Sequence, residues 1–84
     1  MSWVVYMVRC QDNTLYTGCT NNLPHRLQVH NAGKGAKYTK SRLPVTLVYQ
    51  EPCEDKSTAL KREISIKRLT RAQKEILIIS HASN

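Results

Sequence analysis

The sequence predicts an α+β sandwich with elements in the order β-β-α-β-α-α. Three observations carry that expectation. Two strand-like runs, Trp3 to Cys10 and Thr14 to Gly18, stand close enough to form a hairpin. A third, Leu43 to Gln50, is separated from them by a helical segment. Three segments open with helix-capping side chains: Asn22, Asp55, and Thr70 paired with Gln73.

The first run, WVVYMVRC, alternates Val4, Tyr6, Val8 and Cys10 against Trp3, Val5, Met7 and Arg9. Both faces are largely apolar, which predicts a central strand. TLYTG is its hairpin partner through Gln11-Asp12-Asn13. The loop length decides which side chains share a face. A two-residue turn would pair Arg9 with Tyr16 and put the two tyrosines on opposite faces. A three-residue loop places Asn13 in the left-handed position that Asn tolerates. Tyr16 then faces Val8, Gly18 faces Tyr6, and the phenols lie on one face with room left beside Tyr6.

Asn22 as N-cap, Pro24 in the first turn and Gly33 as a stop define a first helix over roughly Leu23 to Ala32. Arg26 and His30, four residues apart, share one of its faces. A Gly/Lys-rich loop follows. The third strand carries Pro44 near its start, which suits a sheet edge. Asp55 caps a second helix running to about Leu69. Thr70 and Gln73 form a capping box that opens a third helix through about Ile79.

With 84 residues there is room for one domain, 1–84, and one small core, so a large cofactor pocket is not expected. No run approaches the length of a membrane span, and the start has no basic region or cleavage site. Cys10, Cys19 and Cys53 are odd in number and lack a CxxC pair, the pattern of reduced thiols in a cytosolic protein. Cys10, Cys19, His25 and His30 do not read as a zinc site, because the two histidines are five residues apart and diverge around a helix. GKG at Gly33 to Gly35 lacks the spacing of a phosphate-binding P-loop. Thirteen Lys and Arg against six Asp and Glu give a net charge of +7, concentrated in Lys34 to Arg42 and Lys56 to Lys74. A polyanion is the natural partner of such a field. Lys34, Lys37, Tyr38, Lys40 and Arg42 are the candidate contacts to it.

Glu63 is the odd residue of the second helix, whose apolar stripe is Ala59, Leu60, Ile64 and Ile66. A carboxylate within that stripe is costly unless paired, solvated or bound to metal. Lys67 at i+4 offers an ordinary ion pair, and a metal site is the alternative.

Taken in order, Val4-Val5-Tyr6, Tyr16-Thr17-Gly18 ten residues later, NNLPHR with Arg26, GKGAKYTK, and the helical Glu63 in ALKREISIKRL resemble the GIY-YIG nuclease superfamily, in particular its small stand-alone bacterial members. The resemblance runs from Trp3 to about Leu77. It implies a three-stranded antiparallel sheet flanked by helices, with one divalent ion, Mg²⁺ or Mn²⁺, at the active face. Tyr6 matches the first motif tyrosine, Tyr16 the second, Gly18 the motif glycine, Arg26 the helix arginine and Glu63 the metal ligand. His30 and Tyr38 match positions that often carry His or Tyr near the scissile phosphate. The chain departs from the pattern in several respects: Val4-Val5 replaces Gly-Ile, Cys19 stands where some relatives carry a lysine, no counterpart is seen to the C-terminal asparagine of homing-type members, and the accessory DNA-binding or zinc domains of many relatives are not expected.

The chemistry of these residue types agrees with that resemblance. Phosphodiester hydrolysis needs an activated water, neutralised phosphoryl oxygens and a stabilised leaving oxygen. Tyrosine, with a free pKa of about 10, is a poor base without a neighbouring cation, and Arg26 supplies one while clamping the phosphate. Glu63 holds the metal. The expected catalytic set is therefore Tyr6, Tyr16, Arg26 and His30, with Tyr16 as base or positioning group and Tyr6 as its partner. The expected activity is metal-dependent endonucleolytic cleavage in DNA repair or processing, on DNA rather than RNA, with no membrane involvement. Two further readings stay open: a nucleic-acid-binding domain with the same fold that does not cleave efficiently, and a protein-interaction domain.

Overall fold

A central strand forms where the chain is apolar on both faces. In the computed structural model, which describes residues 2–82, strand β1 (Trp3–Arg9) lies between β2 (Leu15–Thr20) and β3 (Thr46–Cys53) in a three-stranded antiparallel sheet of order β2-β1-β3. Both outer strands are edges, as Pro44 implied for the third. Asn13 has φ 70°, and the register pairs Val8 with Tyr16 and Tyr6 with Gly18. The three-residue hairpin loop is the one that forms, so the two phenols share a face.

That parity divides the molecule. The face carrying Val5 and Met7 packs with Tyr49, Ala59 and Ile66 under α3 (Lys56–Lys67) and α4 (Arg71–Ala82). The opposite face carries Tyr6, Val8 and Cys10, which pack with Val45 and with Leu23 and Leu27 of α1 (Leu23–Asn31). Between Met7 and Val8 the register with β3 slips by one residue. The bulge lets Val48 and its neighbour Tyr49 both pack toward α3 and α4, while Leu47 packs toward α1.

The caps form as their sequences dictate. Asn22 accepts from the His25 amide and Asp55 from the Thr58 amide. Thr70 and Gln73 bond reciprocally, main chain to side chain, at 2.9 and 3.2 Å. Gly33 ends α1 with its amide on the His30 carbonyl and the Lys34 amide on that of Val29. Arg9 then ties the end of β1 to α4 by a two-pronged contact with Glu75 at 2.7 and 2.9 Å.

Three expectations are corrected. The Gly/Lys-rich segment contains a one-turn helix, α2 (Lys37–Lys40), because the Ala36 carbonyl collects the amides of Thr39 and Lys40 together with the Thr39 hydroxyl. The third strand starts at Thr46 rather than Leu43. The Val45 amide donates to Asn31 Oδ1 and its carbonyl accepts from Asn31 Nδ2, so its backbone serves α1 instead of the sheet. Finally, Leu60 and Ile64 are exposed, and only Ala59 and Ile66 of the expected stripe are buried. The second and third helices also end at Lys67 and Ala82 rather than near Leu69 and Ile79, within the fraying expected of helix ends.

Candidate active site at the sheet edge

Tyr6 and His30 are both fully buried. The Tyr6 hydroxyl lies 2.8 Å from His30 Nε2, and His30 Nδ1 lies 3.0 Å from Thr39 Oγ1. Thr39 donates its only hydroxyl proton to the Ala36 carbonyl at 3.0 Å. Its oxygen must therefore accept from His30 Nδ1–H, which leaves Nε2 as acceptor for the Tyr6 O–H. Donor counting thus fixes both the imidazole tautomer and the direction of the phenol proton. Burial, and next the nearby Arg26, hold His30 below its usual pKa, so the neutral ring this chain requires is the stable one.

Two glycines make this packing possible. A Cβ on Gly18 would lie 2.6 Å from the Tyr6 hydroxyl oxygen. A Cβ on Gly35 would collide with His30 Nδ1 itself, so only glycine lets the loop after α1 close over the ring and deliver Thr39. Hairpin parity anticipates the space beside Tyr6; of Gly35 the sequence says only that GKG is not a P-loop, and Thr39 carries no signal of its own.

Arg26 comes next. Its Nε lies 3.4 Å from the Tyr6 oxygen, and the guanidinium also interacts with Tyr16. The contact with Tyr6 is the main reason its pKa is raised. Burial raises the pKa of Tyr6, and Arg26 partly offsets the rise. Arg9, Arg42, Arg62 and Arg71 all pair with carboxylates, but Arg26 enters no ion pair among the described residues. The Tyr16 ring meets His30 edge-on at 5.4 Å and stacks on Tyr38 at 6.0 Å.

Glu63 approaches from the other side of the sheet. It lies beside Cys19, whose side chain alternates away from Tyr16 and Gly18, and burial with the carboxylate next to it pushes the Cys19 thiol up to about 11. Lys67 joins the two halves. Its Nζ is 2.7 Å from Glu63 Oε2 and 5.8 Å from the centre of the Tyr16 ring. The free edge of β2 therefore runs between the phenols and the carboxylate, and the expected site wraps around that edge instead of occupying one face. Glu63 keeps 18% side-chain exposure, enough for an ion to reach it.

Among the described residues no three His, Cys, Asp or Glu side chains cluster as a metal cage. A single half-open carboxylate fits a hard divalent ion that keeps most of its waters and shares the rest of its shell with a phosphate. It does not fit zinc, which takes three or four protein ligands.

The remaining expected residues are dispersed. Lys34, Lys37 and Lys40 line the segment after α1, and none of the three enters an ion pair among the described residues. Arg42 is engaged within the protein: it donates to Asp12 Oδ2 and the Tyr38 carbonyl, and its guanidinium covers the Tyr38 ring at 4.1 Å. His30, being buried, reaches a substrate only through Tyr6. Lys67 is the residue the sequence undervalued. Its i+4 spacing from Glu63 was legible, but its position over Tyr16 depends on how α3 crosses β2.

Comparison with known proteins identifies the family and the fold. The sequence profile of the GIY-YIG catalytic domain matches residues 2–76. A UPF0213 protein of Staphylococcus haemolyticus is 60% identical over 70 residues, covering 83% of this chain and 85% of that one. One from Halobacterium salinarum is 53% identical, covering 87% and 95%. The solution structure of a UPF0213 protein from Bacillus halodurans superposes with a TM-score of 0.60 at 40% identity, covering 93% of this chain and 83% of that one. That of a protein from E. faecalis gives 0.64 at 36%, covering 98% and 88%.

Proposed function

The chain belongs to the GIY-YIG family, a nuclease superfamily, and from that premise we propose that it is a metal-dependent endonuclease that hydrolyses nucleic-acid phosphodiester bonds at the edge of β2. The observation that carries this reading is Arg26. A guanidinium set against two phenols, with no carboxylate to neutralise it among the described residues, is built for an anion that arrives from outside. Its Nε faces Tyr6 and the guanidinium also meets Tyr16, so both contacts are to neutral phenols and its charge is left for phosphoryl oxygens.

Each residue then has a task. His30, anchored by Thr39, fixes the Tyr6 hydroxyl, and Tyr6 fixes Arg26. Tyr16, flanked by Arg26 and Lys67, is placed to orient the attacking water or take its proton. Glu63 would hold Mg²⁺ or Mn²⁺, whose charge when bound polarises the phosphate and stabilises the leaving oxygen. Lys67 releases the carboxylate for that purpose and is left beside the phosphate, supplying positive charge near Cys19, where some relatives carry a lysine. Lys34, Lys37 and Lys40 follow the backbone away from the scissile bond.

The Glu63–Lys67 contact favours a second reading, a nucleic-acid-binding domain in which the ammonium keeps the carboxylate and no cleavage follows. Incubation with single-stranded, duplex, flapped and four-way DNA and with RNA, in Mg²⁺, Mn²⁺ or EDTA, decides between them. Metal-dependent cleavage of any substrate supports the nuclease. Binding without cleavage in either metal supports the second reading.

A further inference from the structure

Beside Tyr16, away from His30, a groove of about 370 Å³ is lined by Leu15, Tyr16, Thr17, Tyr38, Lys67 and Lys74. One wall is aromatic and preformed. Tyr38 is 41% exposed, stacks on Tyr16 with the ring planes 27° apart, and is held from one side by the Arg42 guanidinium at 4.1 Å. Arg42 is itself fixed by Asp12 at 3.0 Å and by the Tyr38 carbonyl at 2.6 Å. The other wall brings two ammonium groups, Lys67 from α3, which is paired with Glu63 at 2.7 Å, and Lys74 from α4. Thr17 also lines the groove, and among the described residues its hydroxyl oxygen is buried without a hydrogen-bond partner.

An exposed, rigidly held tyrosine is an unusual expense on a surface that needs only to attract phosphate, because lysines alone would do that. Aromatic rings with cations at the facing wall suit a group that is flat and π-rich at one end and anionic at the other. We propose that this groove binds an unpaired nucleotide next to the scissile phosphate, its base packed on the part of the Tyr38 ring that Tyr16 and Arg42 leave exposed and its phosphate held by Lys67 and Lys74. The base must be unpaired because in a duplex its faces are already stacked on neighbours. The substrate class is therefore a single strand, or a junction with a single-stranded arm, in preference to intact duplex. This rests on the nucleic-acid reading above and adds to it a requirement for a base that phosphate contacts do not impose.

The test measures binding in EDTA, so that cleavage plays no part. Fluorescence anisotropy compares a short single-stranded DNA with the same strand in which every base is replaced by an abasic sugar. The two carry the same phosphates. Packing of one base on the Tyr38 ring predicts that the wild type binds the base-bearing strand about 5-fold more tightly. Tyr38→Ala should bring that ratio close to one, and Tyr38→Phe should keep it. Lys74→Ala should weaken both strands equally and reduce the salt dependence of binding. Equal affinity of the wild type for the two strands would overturn the base site and leave a phosphate-binding protein intact. Failure to bind either strand would overturn both readings. A base preference that survives in folded Tyr38→Ala would also overturn the proposal.

Discussion

Strand β1 feeds two cores, and they are built on different terms. Toward α3 and α4 it offers Val5 and Met7 to Ala59 and Ile66, groups that need only exclude water, and to the ring of Tyr49, whose hydroxyl leaves the core to donate to Glu51. Toward α1 it offers Tyr6, whose hydroxyl enters a fully buried chain through His30 and Thr39 to a backbone carbonyl. A polar chain in a small core gains little stability over hydrocarbon and costs a great deal if one link is missing. The apolar core stabilises the sheet; the polar one fixes a proton and a guanidinium in place. Each substitution below should therefore damage stability or chemistry according to the face it touches.

The largest expected effect is on the apolar side. Ile66→Ala removes a fully buried side chain from under the sheet and should cost about 3 kcal/mol by denaturant unfolding. Cleavage per folded molecule should change little. If it falls as far as in an active-site variant, the two cores are not independent.

Glu63→Gln is the converse. It should lower cleavage about 100-fold, equivalent to about 2.7 kcal/mol in the transition state. Stability should move by only a few tenths of a kcal/mol, since what is lost is an i,i+4 pair with Lys67. Equal cleavage by wild type and variant would remove Glu63 from the site.

Thr39→Val tests the polar core directly. It leaves His30 Nδ1–H without its acceptor and should cost about 2 kcal/mol, with Thr39→Ser restoring most of it. A change in the pH profile of cleavage should accompany the loss, because the tautomer that receives the Tyr6 proton is no longer fixed. Similar stability of the Val and Ser variants would mean that the hydroxyl does not anchor the ring.

The smallest effect is a pH dependence carried by His30. The unfolded chain takes up this proton near pH 6.5, whereas burial puts the folded value lower. Above about 6.5 the ring is neutral in both states and contributes nothing to the pH dependence. As pH falls from there, the unfolded state binds the proton first and stability declines, flattening once pH passes the folded value. Asp12, Asp55 and Glu75, held low chiefly by hydrogen bonds to Thr14, Thr58 and Arg9, lose their contribution only at more acid pH, so the windows separate. His30→Gln should remove the upper part of the decline. A wild-type curve flat between pH 6.5 and 5 would contradict a buried neutral ring.

What the sequence determined alone was local. Alternation of apolar residues made β1 central, and loop length with Asn13 fixed hairpin parity; Tyr6 opposite Gly18 and Tyr16 opposite Val8 follow from counting. The caps at Asn22, Asp55 and Thr70 depend on side chains within three residues of the backbone they bond, so they were equally legible. The tertiary structure decided everything that depends on how separate elements meet. Thr39 reaches His30 only because Gly35 lets a loop close over the ring. Val45 leaves the sheet because Asn31, fourteen residues earlier, takes both its backbone groups. Leu60 and Ile64 stay exposed because α3 turns Ala59 and Ile66, and not the whole stripe, into the core. Glu63 and Lys67 reach Tyr16 around the edge of β2 rather than across a face, which the i+4 spacing could not disclose. Residue identity and spacing specify which groups are available and on which side of their own element they stand. The distances between elements are set by packing, and that is where the buried relay, the wrapped edge and the Tyr38 groove were decided.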